Sequence, residues 1–325
     1  MDQTQEKTGR ICEVRKNSWL IDYEGRELPA KLRGSFYEQA PDSLPVVGDY
    51  VRFLCNPLGD SVIQSVCGRR SLLRRPDQAK TGVMQYMAAN VDCCFIVTSL
   101  NEDYSYNRIA RYTSVALQGG CVPVAVLTKA DLCGDAGRYV REVQTISDRL
   151  RVHAVSALRG TGLEALAEYF APGKTICLMG SSGAGKSTLI NALAGEEIMK
   201  TGAVRQSDST GRHTTTHRQL IRLKNGVSVI DTPGMREIGM ARAEEGIDSA
   251  FSDIVELESR CRFRNCRHDR EPGCAVRAAI ADGTLSRERW LLYKNLGEEN
   301  TNNYAKMKEI SRLSKAYRKQ KNNRF

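Results

Sequence analysis

The chain has 325 residues, of which 41% are hydrophobic and 26% charged, and its formal net charge is +10. This composition is typical of globular proteins and excludes a mainly disordered or collagen-like chain, and the length predicts two or three domains. The longest apolar run, residues 121–127, is too short for a membrane helix and the polar start of the chain differs from a secretory signal, so we expect a cytoplasmic protein without a membrane partner.

The first part of the chain alternates short apolar stretches with glycine-rich turns. Strands are predicted over residues 9–14, 18–21, 51–54 and 62–66. About five short strands in a segment of this length favour a small closed β-barrel, and an OB-fold is the simplest one. We assign an RNA-binding barrel to residues 1–70. Residues 71–89 are polar and arginine-rich and are interpreted as a linker or a mobile flap.

From residue 90 the pattern changes to apolar strands that alternate with helical periodicity. Strands are predicted over residues 91–99, 122–127, 151–155, 175–179, 219–223 and 227–230, and helices over residues 138–150, 163–170 and 186–194. This alternation indicates βαβ units and a parallel α/β sheet covered on both faces, which we assign to residues 90–245. Asn225-Gly226 predicts an antiparallel hairpin between the last two strands.

The remainder of the chain, residues 246–325, is predicted to be helical and to end in a strongly basic helix. Helices are expected over residues 248–258, 275–281 and 286–296 and from about residue 303 onwards. Apolar side chains at helical spacing in the last helix are expected to dock against the chain's own core: Tyr304, Met307, Ile310, Leu313 and Tyr317.

A phosphate-binding motif stands between the predicted strand 175–179 and the predicted helix 186–194. It reads Gly180, Ser181, Ser182, Gly183, Ala184, Gly185, Lys186, Ser187 and Thr188, which fits G-x-x-x-x-G-K-[ST]. Glycines let backbone N–H groups face phosphate oxygens, and the helix N-terminus adds a partial positive charge. We expect Lys186 to reach the β- and γ-phosphates and to assist catalysis, and the Ser187 hydroxyl to bind Mg²⁺.

Two further segments are expected to sense the γ-phosphate. Asp231 ends the predicted strand 227–230 and is a candidate for the Mg²⁺ shell, and the N–H of Gly234 can meet the γ-phosphate. The loop 211–216 is rich in threonine, and a threonine there can bind Mg²⁺ only when the γ-phosphate is present. Thr215 is our candidate for this metal-binding and catalytic role, and the other threonines of the loop stay open as alternatives.

Specificity for guanine is predicted from two segments at consecutive strand ends. The first is Thr128, Lys129, Ala130 and Asp131, which fits the N/T-K-x-D motif of GTPases, and the second contains Ser156 and Ala157. The Asp131 carboxylate can accept from the ring N–H and the exocyclic amine of guanine together, whereas adenine offers no matching pair of donors. A backbone N–H of the second segment can meet guanine O6. Thr128 stands where most GTPases have Asn, which weakens one base contact and leaves the specificity unchanged.

The order of these motifs is informative. Ordinary GTPases place the phosphate-binding motif before the base-recognising segments, and here it follows them, so we predict a circularly permuted GTPase domain. Permutation is tolerated where the original termini lie close together at the surface. Its consequence is that the segment after Asp231 leads directly into the C-terminal helices.

Three of the eleven cysteines fall within one short segment. Cys261, Cys266, His268 and Cys274 offer three thiolates and an imidazole, a set that fills the tetrahedral positions of a structural zinc ion. The other eight cysteines are scattered, and the odd total of eleven in the chain argues against a disulfide framework. Arginines crowd the zinc motif and, with the linker and the basic tail, favour an RNA partner: Arg260, Arg262, Arg264, Arg267 and Arg270.

Taken together, the barrel, the permuted GTPase motifs and the Cys-x4-Cys-x-His-x5-Cys pattern resemble the RsgA (YjeQ-like) family of small ribosomal subunit-dependent GTPases over essentially the whole chain. The resemblance implies an N-terminal OB-fold, a central permuted P-loop GTPase and a C-terminal helical zinc-binding domain. It also implies hydrolysis of GTP to GDP and phosphate, stimulated by the small ribosomal subunit and its rRNA during late maturation of that subunit. We expect a monomer.

The catalytic group is left open by the sequence. Met235 stands where small GTPases carry a glutamine that orients water, and its side chain cannot do so. The resemblance implies a catalytic role for His213 in the switch loop, and a solvent-exposed loop residue is the alternative. A second functional hypothesis is an RNA-docking assembly factor for which GTP only sets affinity and hydrolysis is incidental. Asp131 argues against an ATPase.

Overall fold

The computed structural model describes residues 6–15, 17–38, 43–76, 84–101, 103–199, 218–231 and 243–322. Within these residues the chain is a multidomain α/β protein with a β-barrel, a mixed sheet and a group of C-terminal helices. The predicted switch loop 211–216 and Gly234 lie outside the described residues, as do the side chains of the apolar stripe predicted in the last helix.

Five strands form the N-terminal barrel: β1 (Glu6–Val14), β2 (Trp19–Tyr23), β3 (Arg26–Leu32), β4 (Tyr50–Leu54) and β5 (Ser61–Val66). Strand β1 pairs with both β2 and β4, and β5 pairs with both β3 and β4, so the sheet closes on itself. Ile11, Ile21 and Phe53 are among the fully buried side chains that fill its centre. The predicted barrel is therefore confirmed, with β3 as a strand that the sequence pattern did not indicate.

The predicted linker contains an antiparallel ribbon of two strands, β6 (Leu72–Pro76) and β7 (Met84–Ala89). Leu73 and Met87 are buried in the core of the central domain, and the N–H of Leu72 donates to the carbonyl of Gly119 at 2.9 Å. The described part of this segment is thus packed against the central domain.

Six strands build the central sheet: β8 (Cys93–Ser99), β9 (Val122–Thr128), β10 (Arg151–Ala154), β11 (Thr175–Met179), β12 (Arg218–Arg222) and β13 (Ser228–Asp231). Their order is β10-β9-β8-β11-β13-β12, and all neighbours are parallel except β12 and β13. The hairpin predicted at Asn225-Gly226 is confirmed, since the Leu223 N–H donates to the Val227 carbonyl at 2.7 Å and Gly226 has φ +83°.

Helices cover both faces of this sheet: α1 (Tyr106–Gln118), α2 (Ala136–Gln144) and α3 (Lys186–Ala194). Alternate residues of β8 face two separate cores, Ile96 with Tyr112 of α1 on one side and Phe95 with Leu189 of α3 on the other. Helix α1 was not among the predicted helices. The segment predicted as a helix over residues 163–170 is a 3-10 helix, and α2 ends earlier than predicted.

The barrel is joined to the central sheet through β1 and β12, which pair at Glu13 with Gln219 and at Val14 with Arg218. The Arg10 side chain reinforces this junction, because its guanidinium donates to Thr175 Oγ1 at 2.7 Å and to Ser228 Oγ at 3.3 Å. Thr175 and Ser228 begin β11 and β13. The barrel therefore packs at the amino ends of the strands and leaves their carboxyl ends accessible.

Four helices form the C-terminal part: α4 (Glu244–Ala250), α5 (Ser252–Ser259), α6 (Ala275–Ala281) and α7 (Arg287–Asn322). The helix predicted over residues 248–258 is divided at Phe251, and the two helices predicted after residue 286 are one continuous helix. Arg289 of α7 donates to Asp253 and to the carbonyl of Ile146 after α2. None of the described helices is long and apolar enough to cross a membrane.

A close contact between α1 and α4 gives a test of this packing. A Cβ added to Gly246 would lie 2.2 Å from the Ser114 carbonyl oxygen and 2.8 Å from Gln118 Cβ. Gly246→Ala is therefore expected to lower the free energy of unfolding by about 1–3 kcal/mol, as overpacking does in a tight core. The measurement is urea-induced unfolding.

Gly297→Ala is the matched control, since nothing lies within 4 Å of a Cβ at this position in α7. The same substitution there is expected to raise the free energy of unfolding by about 0.4–1 kcal/mol through lost flexibility of the unfolded chain. A shift of the same sign in both variants contradicts the close α1–α4 contact.

Candidate functional site

The phosphate-binding motif forms the turn from β11 into α3. Gly180, Gly183 and Gly185 have φ values of +144°, +80° and +90°, which favour glycine. A Cβ on Gly180 would lie 2.2 Å from the Val97 carbonyl oxygen. The Lys186 Nζ donates to the carbonyls of Gly180 at 3.0 Å and Ser181 at 2.6 Å, so the lysine folds back over the loop.

The end of β9 contacts this loop directly. Thr128 Oγ1 donates to the Ala184 carbonyl at 2.6 Å, and Lys129 Nζ donates to the Gly183 carbonyl at 3.0 Å. Thr128 is 2% exposed. Its hydroxyl therefore ties the predicted base-recognising segment to the predicted phosphate-binding loop, a contact that the sequence motif did not indicate.

Asp131 follows the end of β9, next to the segment that follows β10. The Ala130 N–H donates to the Val155 carbonyl at 3.1 Å, which joins the two predicted base-recognising segments. A hydrogen bond from Ser156, helped by the Arg159 guanidinium 3.7 Å away, lowers the pKa of Asp131. The carboxylate is thus ionised at neutral pH and can accept from two donors at once.

The third strand end at this edge carries Asp231. It stands beside Leu178 in the parallel register of β13 and β11, two residues before the phosphate-binding loop begins. Ser187 lies in the first turn of α3, after the same loop. A carboxylate and a hydroxyl are oxygen ligands of the kind that Mg²⁺ prefers, so both residues fit such an ion.

These placements bring the predicted nucleotide-site residues to one edge of the sheet, at the carboxyl ends of β9, β10, β11 and β13. Ligands of open α/β sheets bind at this edge. The predicted residues that lie outside the described part of the chain are His213, Thr215 and Gly234.

A cluster of potential metal ligands lies before and at the start of α6. The ligand atoms of Cys261, Cys266, His268 and Cys274 all lie within 4.8 Å of one another. His268 Nδ1 is 3.6 Å from Cys261 Sγ and 3.4 Å from Cys274 Sγ. Three sulfur atoms and one ring nitrogen converge on one point, so the residues fit a four-coordinate metal ion.

The cluster is supported by neighbouring groups. His268 Nε2 is 3.3 Å from Glu258 Oε1, and the Tyr293 hydroxyl donates to the other carboxylate oxygen at 3.0 Å. Glu258 therefore orients the ring so that Nδ1 faces the thiols. Glu271 accepts three backbone N–H bonds from the loop before it, and these bonds lower its pKa to about 2.

Comparison with known proteins decides the family. The sequence model of the RsgA GTPase family matches residues 66–241, which is more than half of the chain. The chain belongs to the RsgA GTPase family. A curated relative, small ribosomal subunit biogenesis GTPase RsgA 2 of Listeria monocytogenes serotype 4b, is 44% identical over 87% of this chain and 81% of its own length. The RsgA of Xylella fastidiosa is 43% identical over 91% of this chain and 89% of its own length.

Solved structures agree with this RsgA-family fold. The crystal structure of YjeQ from Thermotoga maritima has a TM-score of 0.67 and 29% identity, and the match covers 90% of this chain and 97% of that one. YloQ, described as a circularly permuted GTPase, has a TM-score of 0.62, 24% identity and coverage of 92% and 96%, which supports the fold alone. The permuted domain is confirmed, since the strand that precedes the phosphate-binding loop is β11 and lies between β8 and β13.

A second sequence model, ABC transporter, matches residues 163–320 of this RsgA-family chain. That match is explained by the phosphate-binding motif, which P-loop proteins share. The segment matched by this second model begins after Asp131, so it does not include the predicted guanine-binding carboxylate.

Some residues of the site carry no signal in the sequence. Glu258 and Asp103 are the clearest cases, because each lies outside the motif whose residue it contacts: Glu258 contacts His268, and Asp103 contacts Ser181. In the sequence, an acidic residue outside a motif cannot be distinguished from a solvent-exposed carboxylate, because its partner is known only from the fold.

Proposed function

We propose that this chain is a Mg²⁺-dependent GTPase that acts in biogenesis of the small ribosomal subunit. The observation that supports the proposal is the direct contact between residues 128–129 and the loop 180–188, because it suits one site in which Asp131 accepts from guanine and the loop binds the phosphates. The curated relatives are named small ribosomal subunit biogenesis GTPases. GTP hydrolysis is the activity of the family.

In the proposed site the base lies at Asp131, which accepts from the two guanine donors, and a backbone N–H of Ser156 or Ala157 donates to O6. The backbone of residues 180–188 surrounds the phosphates, and Lys186 turns from the loop carbonyls to the β- and γ-phosphates. Mg²⁺ bound with the nucleotide neutralises charge that develops on the phosphates. Ser187, Asp231 and Thr215 are the proposed ligands, and Gly234 the proposed sensor of the γ-phosphate.

The attacking water needs a group to orient it, and we assign that role to His213. Met235 offers no hydrogen bond at the position where small GTPases carry glutamine. A chain with this arrangement turns GTP over slowly by itself and faster when a partner fixes the loop. The small ribosomal subunit is the proposed partner.

We propose three domains, residues 1–70, 90–245 and 246–325, with residues 71–89 between the first two. Contact with ribosomal RNA is proposed for the barrel, for residues 71–89, and for the metal-binding domain with its basic tail. The arginines next to the metal cluster in the sequence are all exposed: Arg260, Arg262, Arg264, Arg267 and Arg270. Guanidinium groups on a rigid surface suit RNA phosphates. Arg69 is excluded from this role because it holds the buried Asp49 at 2.7 Å. We further propose a cytoplasmic monomer.

We propose zinc as the ion held by Cys261, Cys266, His268 and Cys274, in a structural role. Three thiolates and an imidazole occupy all four positions, so none is left for water. The ion stabilises the loop between α5 and α6, and the backbone N–H of Arg277 donates to Cys274 Sγ at 3.4 Å at the start of α6.

Glu258→Ala gives a test of this metal centre. The exchange removes the acceptor of His268 Nε2, and metal affinity is expected to fall roughly 10- to 100-fold, as it does on loss of such partners. The measurement is transfer of zinc to a coloured chelator. Glu256→Ala on the same helix is the control, because Glu256 pairs with the exposed Arg260 alone among the described ion pairs. Equal zinc transfer from both variants contradicts the assigned role of Glu258.

The test of the proposed function has two parts. Phosphate release from GTP by the purified protein is expected to require Mg²⁺ and to persist in a tenfold excess of ATP, and equal preference for ATP contradicts the guanine site. The protein is also expected to sediment with purified small ribosomal subunits and not with large ones. Binding to the subunit without any GTP turnover favours the RNA-docking alternative.

A further inference from the structure

The phosphate-binding loop is held by a residue outside every motif. Ser181 Oγ donates a hydrogen bond to Asp103 Oδ2, across 78 positions of the chain. Ser181 is 1% exposed, so this hydroxyl is closed off from water. Its backbone carbonyl accepts from Lys186 Nζ at 2.6 Å. The second residue of the loop is therefore bound on one side by the loop's own lysine and on the other by Asp103.

Asp103 is itself fixed in place between β8 and α1. Its other carboxylate oxygen, Oδ1, lies 3.1 Å from the Arg108 guanidinium. Its N–H donates to Asn101 Oδ1 at 3.1 Å, and the same oxygen accepts from Ser99 Oγ at 2.8 Å. The carboxylate is thus oriented by the end of a sheet strand and the first turn of a helix, which are both rigid elements.

The negative charge of Asp103 opposes nucleotide binding, because a carboxylate near a phosphate site repels the phosphates. Arg108 neutralises that charge, and the Asp103 side chain keeps 32% of its surface exposed, so solvent screens what is left. The hydrogen bond to Ser181, in contrast, is partly buried, and a charge-assisted bond of this kind is about twice as strong as a neutral one. We therefore expect the hydrogen bond that holds the loop to favour nucleotide binding by more than the remaining charge of Asp103 disfavours it.

We propose that Asp103 is a positioning residue for nucleotide binding, which acts through Ser181 to hold the phosphate-binding loop in its binding conformation. The inference rests on the proposed function. A loop that is already ordered loses less conformational entropy when the phosphates bind. Because GDP and GTP both use this loop, Asp103 supports the affinity for both nucleotides alike and does not distinguish between them.

The experiment measures the dissociation constants of fluorescent GDP and a non-hydrolysable GTP analogue for a set of variants. Asp103→Ala and Ser181→Ala are each expected to weaken both nucleotides roughly tenfold, the size expected for one charge-assisted hydrogen bond. The double variant is expected to bind as each single variant does, because both exchanges remove the same bond. Asp103→Asn is expected to recover part of the affinity and to bind about threefold more weakly than the wild-type protein, since its amide oxygen still accepts from Ser181 but the bond is no longer charge-assisted.

The controls separate this inference from the proposed function. Asp282→Ala, in which the carboxylate accepts from Thr284 near α6, is expected to leave both dissociation constants unchanged. Wild-type affinity in Asp103→Ala, or effects of the two single exchanges that multiply fully in the double variant, overturns the role of Asp103. If Asp103→Ala does not fold, wild-type affinity in Ser181→Ala overturns it equally. Failure of the wild-type protein to bind either nucleotide contradicts the proposed function instead.

Discussion

Exchange of Asp131 for asparagine is expected to move the nucleotide preference from guanine to xanthine. The asparagine amide presents one acceptor and one donor where the carboxylate presents two acceptors. Guanine then meets a donor opposite its exocyclic amine, and two hydrogen bonds to a charged group are lost or weakened. GTP affinity is expected to fall roughly 100- to 1,000-fold. Xanthine carries a carbonyl oxygen at the carbon where guanine carries its exocyclic amine. This oxygen accepts from the asparagine NH2 while the ring N–H donates to the asparagine oxygen, so both hydrogen bonds form.

The measurement for Asp131→Asn is competition between GTP and xanthosine triphosphate for a fluorescent nucleotide. Asp135→Asn is the matched control, since this exposed aspartate four positions later accepts from the Arg138 N–H at the start of α2. The control is expected to keep the wild-type preference for GTP. Continued preference for GTP in Asp131→Asn contradicts the placement of the base at Asp131.

Exchange of Lys186 for methionine is expected to lower stimulated GTP turnover roughly 100- to 1,000-fold, the usual loss for one group that stabilises transition-state charge. Methionine keeps the length of the side chain and removes the ammonium group. Lys224→Met is the control, because this lysine lies on the β12–β13 hairpin with its side chain 85% exposed and pairs with Glu196. Turnover of Lys186→Met within a few-fold of the control contradicts the assignment of the phosphate site.

The parts of the site that depend on local backbone conformation were predictable from the sequence. Helix α3 has its predicted bounds because Gly185 turns the chain into the left-handed region just before Lys186. The hairpin at Asn225-Gly226 follows for the same reason, and the order of the motifs identified the permuted sheet. In each case a few adjacent residues carry the physical cause.

The parts that depend on distant contacts were not predictable. In β6, Leu73 stands next to arginines in the sequence, so the pattern of this segment is that of a polar linker. In the structure Leu73 is buried in the core that includes α1. Gly297 and the polar residues after it predict a break, yet α7 continues there. Asn300 is 2% exposed in this stretch and accepts from the Ala243 N–H at 3.0 Å. Tertiary contact thus outweighs local preference at both places.

We propose that the site at the carboxyl edge of the permuted sheet hydrolyses GTP in response to the small ribosomal subunit. The most direct measurement is steady-state phosphate release from GTP with and without purified small subunits, with large subunits as the control. We predict a rate increase of at least tenfold with small subunits alone, which His213→Ala abolishes. The same rate with and without small subunits contradicts the account.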